Sequence, residues 1–166
     1  MLSTNDLSRL QREQFQHDKR NHFDILNLSK TDRLKHYGLH FCKYVGRLAR
    51  GAEESKSLER TLTDTFLVIL SAANTLHQEL AHEASLPLRF NDQIDSIYRF
   101  ADAAGRFADA CEKIDHMEEF IPIARKANHD LAGWVIASAQ ERRFELEPAI
   151  KMRREELATR QFFISD

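Results

Sequence analysis

Apolar residues recur every three or four positions through most of this chain, a spacing that lays one side of each helix on a core. The clearest stretch is 57–80, SLERTLTDTFLVILSAANTLHQEL, which has neither Gly nor Pro. Leu58, Leu62, Phe66, Ile69, Ala73, Leu76 and Leu80 define one face, and the run from Phe66 to Leu70 is apolar all round. A helix that is apolar on every side is a buried one, so this stretch is expected to be central. Ser57 is its expected N-cap, with Arg60 where a capping box has Glu. One acid, Asp64, stands just before the apolar run.

The same pattern predicts the other elements. Residues 1–30 form a peripheral helix with a thin stripe, Leu7, Leu10 and Phe15, capped by Thr4 or Asn5, and then a connector pinned by Phe23, Ile25, Leu26 and Leu28. Leu34, Tyr37, Phe41, Val45 and Leu48 predict a helix capped by Ser29 or Thr31 and closed by Gly51. After a loop punctuated by Pro87, Asn91 or Asp92 opens a helix to about Glu112, with Ile94, Ile97, Tyr98, Ala101, Ala104, Phe107 and Cys111 inward. A fifth segment, capped by Asp115, continues through Leu131, Trp134, Val135, Ala139 and Phe144, with Pro122 expected to kink or split it. Pro148 suits the first turn of a last helix, 148–166. There Lys151, Arg153, Arg154 and Arg160 mix with Glu155 and Glu156 as a solvated face.

These elements predict an all-α protein, a single-domain bundle of five or six helices over residues 1–166. Five Gly and three Pro in 166 residues fit that class, and 42% hydrophobic with 30% charged residues is ordinary for a globular chain. A formal net charge of -2 gives no reason to expect nucleic acid as a partner. No apolar run reaches membrane-spanning length, and the start lacks the apolar core of a signal peptide. A cytoplasmic protein with Cys42 and Cys111 reduced, each on an apolar helix face, is the expectation.

The helix pair at 31–80 resembles the pair at 92–147. Phe41, Gly46, Arg47 and Ala49 match Phe100, Gly105, Arg106 and Ala108 at a shift of 59. Asp64, Ala73, Glu79 and Leu80 match Asp130, Ala139, Glu145 and Leu146 at a shift of 66. An internal duplication would give a pseudo-twofold bundle; chance similarity is the alternative. Gly46 and Gly105 stand inside helices, where Gly costs about 1 kcal/mol against Ala. Either a close helix crossing needs them there or they are merely tolerated.

Lys43-x-x-Gly46-Arg47-Leu48-Ala49, a charged turn, and Leu62-Thr-Asp64-x-x-Leu67-Val-Ile-Leu70-x-x-Ala73-Asn74-x-Leu76 together resemble the MazG-like, all-α nucleoside triphosphate pyrophosphatases. The resemblance covers residues 34–80 best and 93–146 more weakly. It implies a bundle in which Glu-Glu-x-x-Glu on one helix and Glu-x-x-Asp on the next hold Mg²⁺ against a nucleotide's phosphates. Dimeric dUTPase-like members carry two such halves in one chain. In this register the first motif's acids fall at Lys43, Tyr44 and Arg47, and the second motif's Glu at Thr61. Asp64 keeps its place, and Asp102 and Asp130 are the acids of the second half. The resemblance makes Asp64, Asp102 and Asp130 the candidate metal ligands and Asn74 a candidate for positioning the nucleotide.

The residues carry other readings. Lys43 and Arg47, one turn apart, could pair directly with Asp64, could join His36 and His40 as a phosphate-binding strip, or could be solvated. His36 and His40 have the i, i+4 spacing of a two-histidine metal site, with His77, His82 or Asp64 as third-ligand candidates. Tyr98 and Trp134 are either core or base-stacking aromatics, with core the expectation. Cys42 lacks a recognisable nucleophile arrangement.

Two functions follow. In one, the protein binds a nucleoside triphosphate and, with Mg²⁺, cleaves it to a monophosphate and pyrophosphate. In the other, it needs no cofactor and is a non-catalytic helical interaction or assembly module that kept the bundle, acting on a protein partner or as a homodimer.

Overall fold

A computed structural model of the chain describes residues 3–82 and 94–159. The described residues are helical and contain no strand: α1 (Thr4–Asn21), α2 (Phe23–Leu26), α3 (Lys30–Arg50), α4 (Leu58–Leu76), α5 (Ile94–Asp115), α6 (Ile121–Glu141) and α7 (Leu146–Ala158), with a 3-10 turn at Gly51–Glu53. The expectations for Pro87, Asn91, Asp92, Arg160 and the Ile94 side chain lie outside the described residues.

Helix α4 is the centre, packed against α1, α3, α6 and α7, while α5 packs on α3 and α6. Leu62, Phe66, Ile69, Leu70, Ala73 and Leu76 are fully buried. The hydroxyl residues Thr61, Thr63, Thr65, Ser71 and Thr75 of α4 are buried too. Thr63 and Thr65 donate their hydroxyls to the carbonyls of Glu59 and Thr61, which satisfies them inside the helix. Ser57 caps α4 by accepting the Arg60 N–H at 3.1 Å, and Ser29 caps α3 through Asp32 in the same way.

α4 ends at Leu76 rather than Leu80. His77 takes the left-handed conformation (φ 52°), and the Gln78 N–H turns back to the Ala73 carbonyl. Arg125 of α6 donates to the Leu76 and His77 carbonyls, where a cation also meets the negative end of the helix dipole. Asn128, fully buried on α6, donates to the Ile69 carbonyl and to Gln78 Oε1. These contacts fix how α6 lies along α4.

Several expectations change. α1 is not peripheral: Leu7, Leu10, Gln14, His17 and Asp18 are buried against the bundle, and Phe15 is 42% exposed. Its buried face is half polar, so a reading of apolar spacing alone cannot find it. Asp115 is the last residue of α5, and Pro122 falls in the first turn of α6, where its missing N–H costs nothing and no kink is needed. Tyr98 is 71% exposed, whereas Trp134 is core, its ring 4.8 Å from Phe100. Cys42 is exposed, while burial pushes the Cys111 thiol up to about 11.

No close crossing explains Gly46 or Gly105. A Cβ on Gly105 would meet nothing within 4 Å, and one on Gly46 only the tip of Arg50. Gly38 does face a neighbour: a Cβ there would lie 3.5 Å from Cys111 Sγ on α5. Gly105→Ala should therefore stabilise the protein by about 0.5–1 kcal/mol, through helix propensity alone. Thermal unfolding checks this: a melting temperature lower than wild type would show that the site has no room for a methyl group.

Candidate functional site

Asp64 lies on α4 one turn after Arg60, and the two pair at 3.2 Å. Helix α3 runs alongside and brings Arg47 Nη1 to 3.2 Å from the same carboxylate. α7 packs on α4 and α1 and delivers Arg153 Nε at 2.7 Å. Arg153 sits in α7 three residues after Ile150, a fully buried residue that anchors the helix, so its side chain is carried inward as well. Three guanidiniums from three helices thus share one carboxylate that is 12% exposed. Glu156 takes a further N–H from Arg60 and from Arg153 at the surface.

This cluster opens into a cavity of about 550 Å³ between α1, α2, α3, α4 and α7. Lys43, Arg47, Lys56, Arg60 and Arg153 line it, against the carboxyls of Asp18, Asp24 and Asp64. Leu67, Val68, Ile25, Leu26 and Leu157 supply apolar wall. Among the described residues, Arg47 gives Asp64 only Nη1, and Arg60 and Arg153 use only Nε and Nη1 on carboxylates. Each guanidinium carries five N–H donors, so each keeps donors that these carboxylates do not take.

The histidines are arranged as a relay of neutral groups. Lys43 Nζ lies 2.9 Å from His40 Nδ1, and His40 Nε2 lies 3.1 Å from His36 Nε2. Lys43 can only donate, so His40 Nδ1 accepts and its Nε2–H donates to His36. Burial first, then Lys43, push His40 down to about 4. Burial also lowers His36, and burial with Arg47 lowers Lys43. Burial is the larger cause at each, and a neighbouring cation adds to it at His40 and at Lys43. Tyr44, buried beneath it, has its phenol raised by burial; Lys43 and Arg47 lie over its ring at 4.8 and 5.4 Å.

A second polar group lines the same cavity. Asp18 of α1 is 5% exposed and has no ion pair among the described residues. It accepts from Ser71 Oγ at 2.6 Å and from Gln14 Nε2 at 2.8 Å. Arg154 holds Gln14 in place by donating to its Oε1. Burial pushes Asp18 up to about 6 against these hydrogen bonds.

The sequence candidates separate into two places. Asp64, Lys43, Arg47, His36 and His40 all line the cavity. Asp102 and Asp130 sit elsewhere, joined by Arg106, which pairs with each at 2.9 Å, and Lys126 approaches Asp130. Asn74 is outside the cavity and donates to the Gln11 carbonyl, stitching α4 to α1. His77 and His82 are exposed. Among the described residues no three His, Cys, Asp or Glu side chains come together as a metal site. Mg²⁺ wants free carboxylate oxygen, and here Asp64 and Asp130 both spend theirs on guanidiniums. The donor set does not fit that ion.

Arg60, Arg153, Lys56 and the Asp18–Ser71–Gln14 group are the functional candidates that spacing alone did not single out. Arg60 was legible as an i, i+4 partner of Asp64. Arg153 and Asp18 were not, because each belongs to a helix whose placement depends on the assembled bundle. The sequence matches no family profile, and no curated protein or solved structure matches it. No described helix is long and apolar enough to cross a membrane.

Two outcomes test this electrostatic description. Asp64→Asn leaves three clustered guanidiniums without their carboxylate and should cost about 2 kcal/mol, less than for a fully buried pair because the site is partly wet. Added sulfate should restore more stability to that variant than to wild type; equal gains in both would refute the charge surplus. For Asp18, a folded pKa of about 6, well above the ordinary aspartate range, means that folding favours the protonated acid. Its contribution to stability is fully present below pH 4 and is lost as pH rises through 6. Wild type should therefore lose about 2 kcal/mol relative to Asp18→Asn between pH 4 and pH 7, as read by urea unfolding at both pH values.

Proposed function

We propose that this protein binds a phosphorylated small molecule of the nucleotide class in the arginine-lined cavity. The bundle is of the MazG-like kind, and ion pairs stand where that family places its acidic metal site. The single observation that carries this is the convergence of Arg47, Arg60 and Arg153 on Asp64 with N–H donors to spare. A phosphate group accepts forked hydrogen bonds from guanidinium and brings the negative charge this wall lacks.

The MazG-like part of the reading draws support from a correspondence between the two helix pairs. Arg47 of α3 pairs with Asp64 of α4, and Arg106 of α5 pairs with Asp130 of α6. These positions are related by the same shifts, 59 and 66, that align the two halves of the sequence. In each half the arginine occupies a position where the resembled family has an acid, and it meets a remaining acid, Asp64 in the first half and Asp130 with Asp102 in the second. Phosphate would then be held by the chain's own cations rather than through a metal ion, and the reading is of a binding protein rather than a pyrophosphatase.

Thermal shift with pyrophosphate and with a nucleoside triphosphate, each in EDTA and in Mg²⁺, tests this. A ligand at 100 times its dissociation constant adds about 2.7 kcal/mol, a shift of several degrees for a chain of this size. The shift should appear in EDTA and vanish in Arg153→Gln. A shift that needs Mg²⁺ would point to a metal-held phosphate instead. No shift with either ligand would favour a non-catalytic interaction module.

A further inference from the structure

The cavity has two chemically different ends. At one end Arg47, Arg60 and Arg153 surround Asp64; at the other Asp18, Ser71 and Gln14 form a buried hydrogen-bonded group. Both ends are read off one helix. Ser71 follows Asp64 by two turns of α4, so the ends lie about 10 Å apart along its axis. Leu67 and Val68 occupy the turn between them and face the same cavity. That separation is the span of a nucleoside monophosphate, from its phosphate to the far edge of the base.

Asp18 is the unusual group. Its carboxylate is buried, lines the cavity and makes no ion pair among the described residues, Arg154 acting on it only at longer range. Oδ1 takes one N–H from Gln14 and Oδ2 one O–H from Ser71. A carboxylate offers about four lone-pair sites, so each oxygen keeps one. Gln14 and Ser71 cannot turn away to serve a ligand themselves. Gln14 is fixed by Arg154 at its other end, and the single proton of the Ser71 hydroxyl is committed to Asp18 while its oxygen accepts from Gln14. What this end presents to the cavity is therefore a fixed acceptor pair.

A fixed pair of carboxylate oxygens is complementary to two adjacent, parallel N–H donors. Among nucleobases, guanine carries such an edge in N1–H and the 2-amino group. Adenine offers one amino group next to an acceptor nitrogen, which would face the carboxylate lone pair to lone pair. Hypoxanthine keeps N1–H and lacks the amino group. We propose that the cavity selects a guanine nucleotide, with the phosphate on the arginine cluster and the N1–H/N2–H edge on Asp18. This rests on the phosphate reading above and adds the identity of the base.

Isothermal titration of the full chain with pyrophosphate, GMP, IMP and AMP, in EDTA, tests it. GMP should bind about tenfold tighter than IMP, as expected for one lost half of a bidentate pair, and AMP should be weaker still. Asp18→Asn should weaken GMP about tenfold and leave pyrophosphate unchanged, while Arg153→Gln weakens every ligand. If pyrophosphate binds and the three nucleotides do not differ, the guanine assignment falls and the phosphate site stands. If none of the four binds, both fall. The wild-type series needs no variant to fold, so the ranking of the nucleotides decides the question even if Asp18→Asn is unstable.

Discussion

One carboxylate, Asp64, ties together three helices that are far apart in sequence. Arg47, Arg60 and Arg153 reach it from α3, from its own helix and from α7. Such a cluster is a costly thing to bury. Removing guanidinium and carboxylate from water costs several kcal/mol per ion, and geometry must recover it. Here the cost is moderated, because Asp64 and Arg47 keep 12% and 15% of their side-chain surface exposed and Arg60 keeps 31%. The arrangement holds α7 in place and leaves positive charge over. A ligand anion is the simplest way to offset that surplus.

The rest of the cavity follows from how the bundle closes around α4. α1 contributes a face that is polar as well as apolar, and its polar members meet polar members of α4: Asp18 with Ser71, Gln14 with Ser71, Gln11 with Asn74. Buried polar groups of this kind are tolerable only when paired, because an unpaired one costs about as much as a lost hydrogen bond or more. Their pairing fixes the rotation of α1 about its axis more tightly than apolar contact would. The same logic holds on the opposite side, where Asn128 and Gln78 tie α6 to α4.

The two helix pairs differ in what they enclose. The Arg47–Asp64 pair opens onto a cavity because α1, α2 and α7 stand around it. The Arg106–Asp130 pair is a more exposed bridge completed by Asp102 and Lys126. Matching residues at matching shifts thus sit in unequal surroundings. The elements outside the matched pairs, not the pairs themselves, make one of the two positions a site.

The sequence by itself determined the helices. Spacing of apolar residues located α3, α4 and α5, Pro148 marked the first turn of α7, serine caps marked the starts of α3 and α4, and the all-round apolar run at Phe66–Leu70 identified the buried centre. These are local properties, set by backbone geometry and burial within one helix turn or two. The Arg47–Asp64 pairing was also within reach, since adjacent helices joined by a short turn must face each other. Tertiary structure decided the remainder. Arg153 reads as surface charge until α7 is docked, and Asp18 reads as a polar residue on a thin amphipathic helix until α1 is rotated against α4. Which charges share a cavity depends on distances between elements, and spacing along a chain carries no information about those distances.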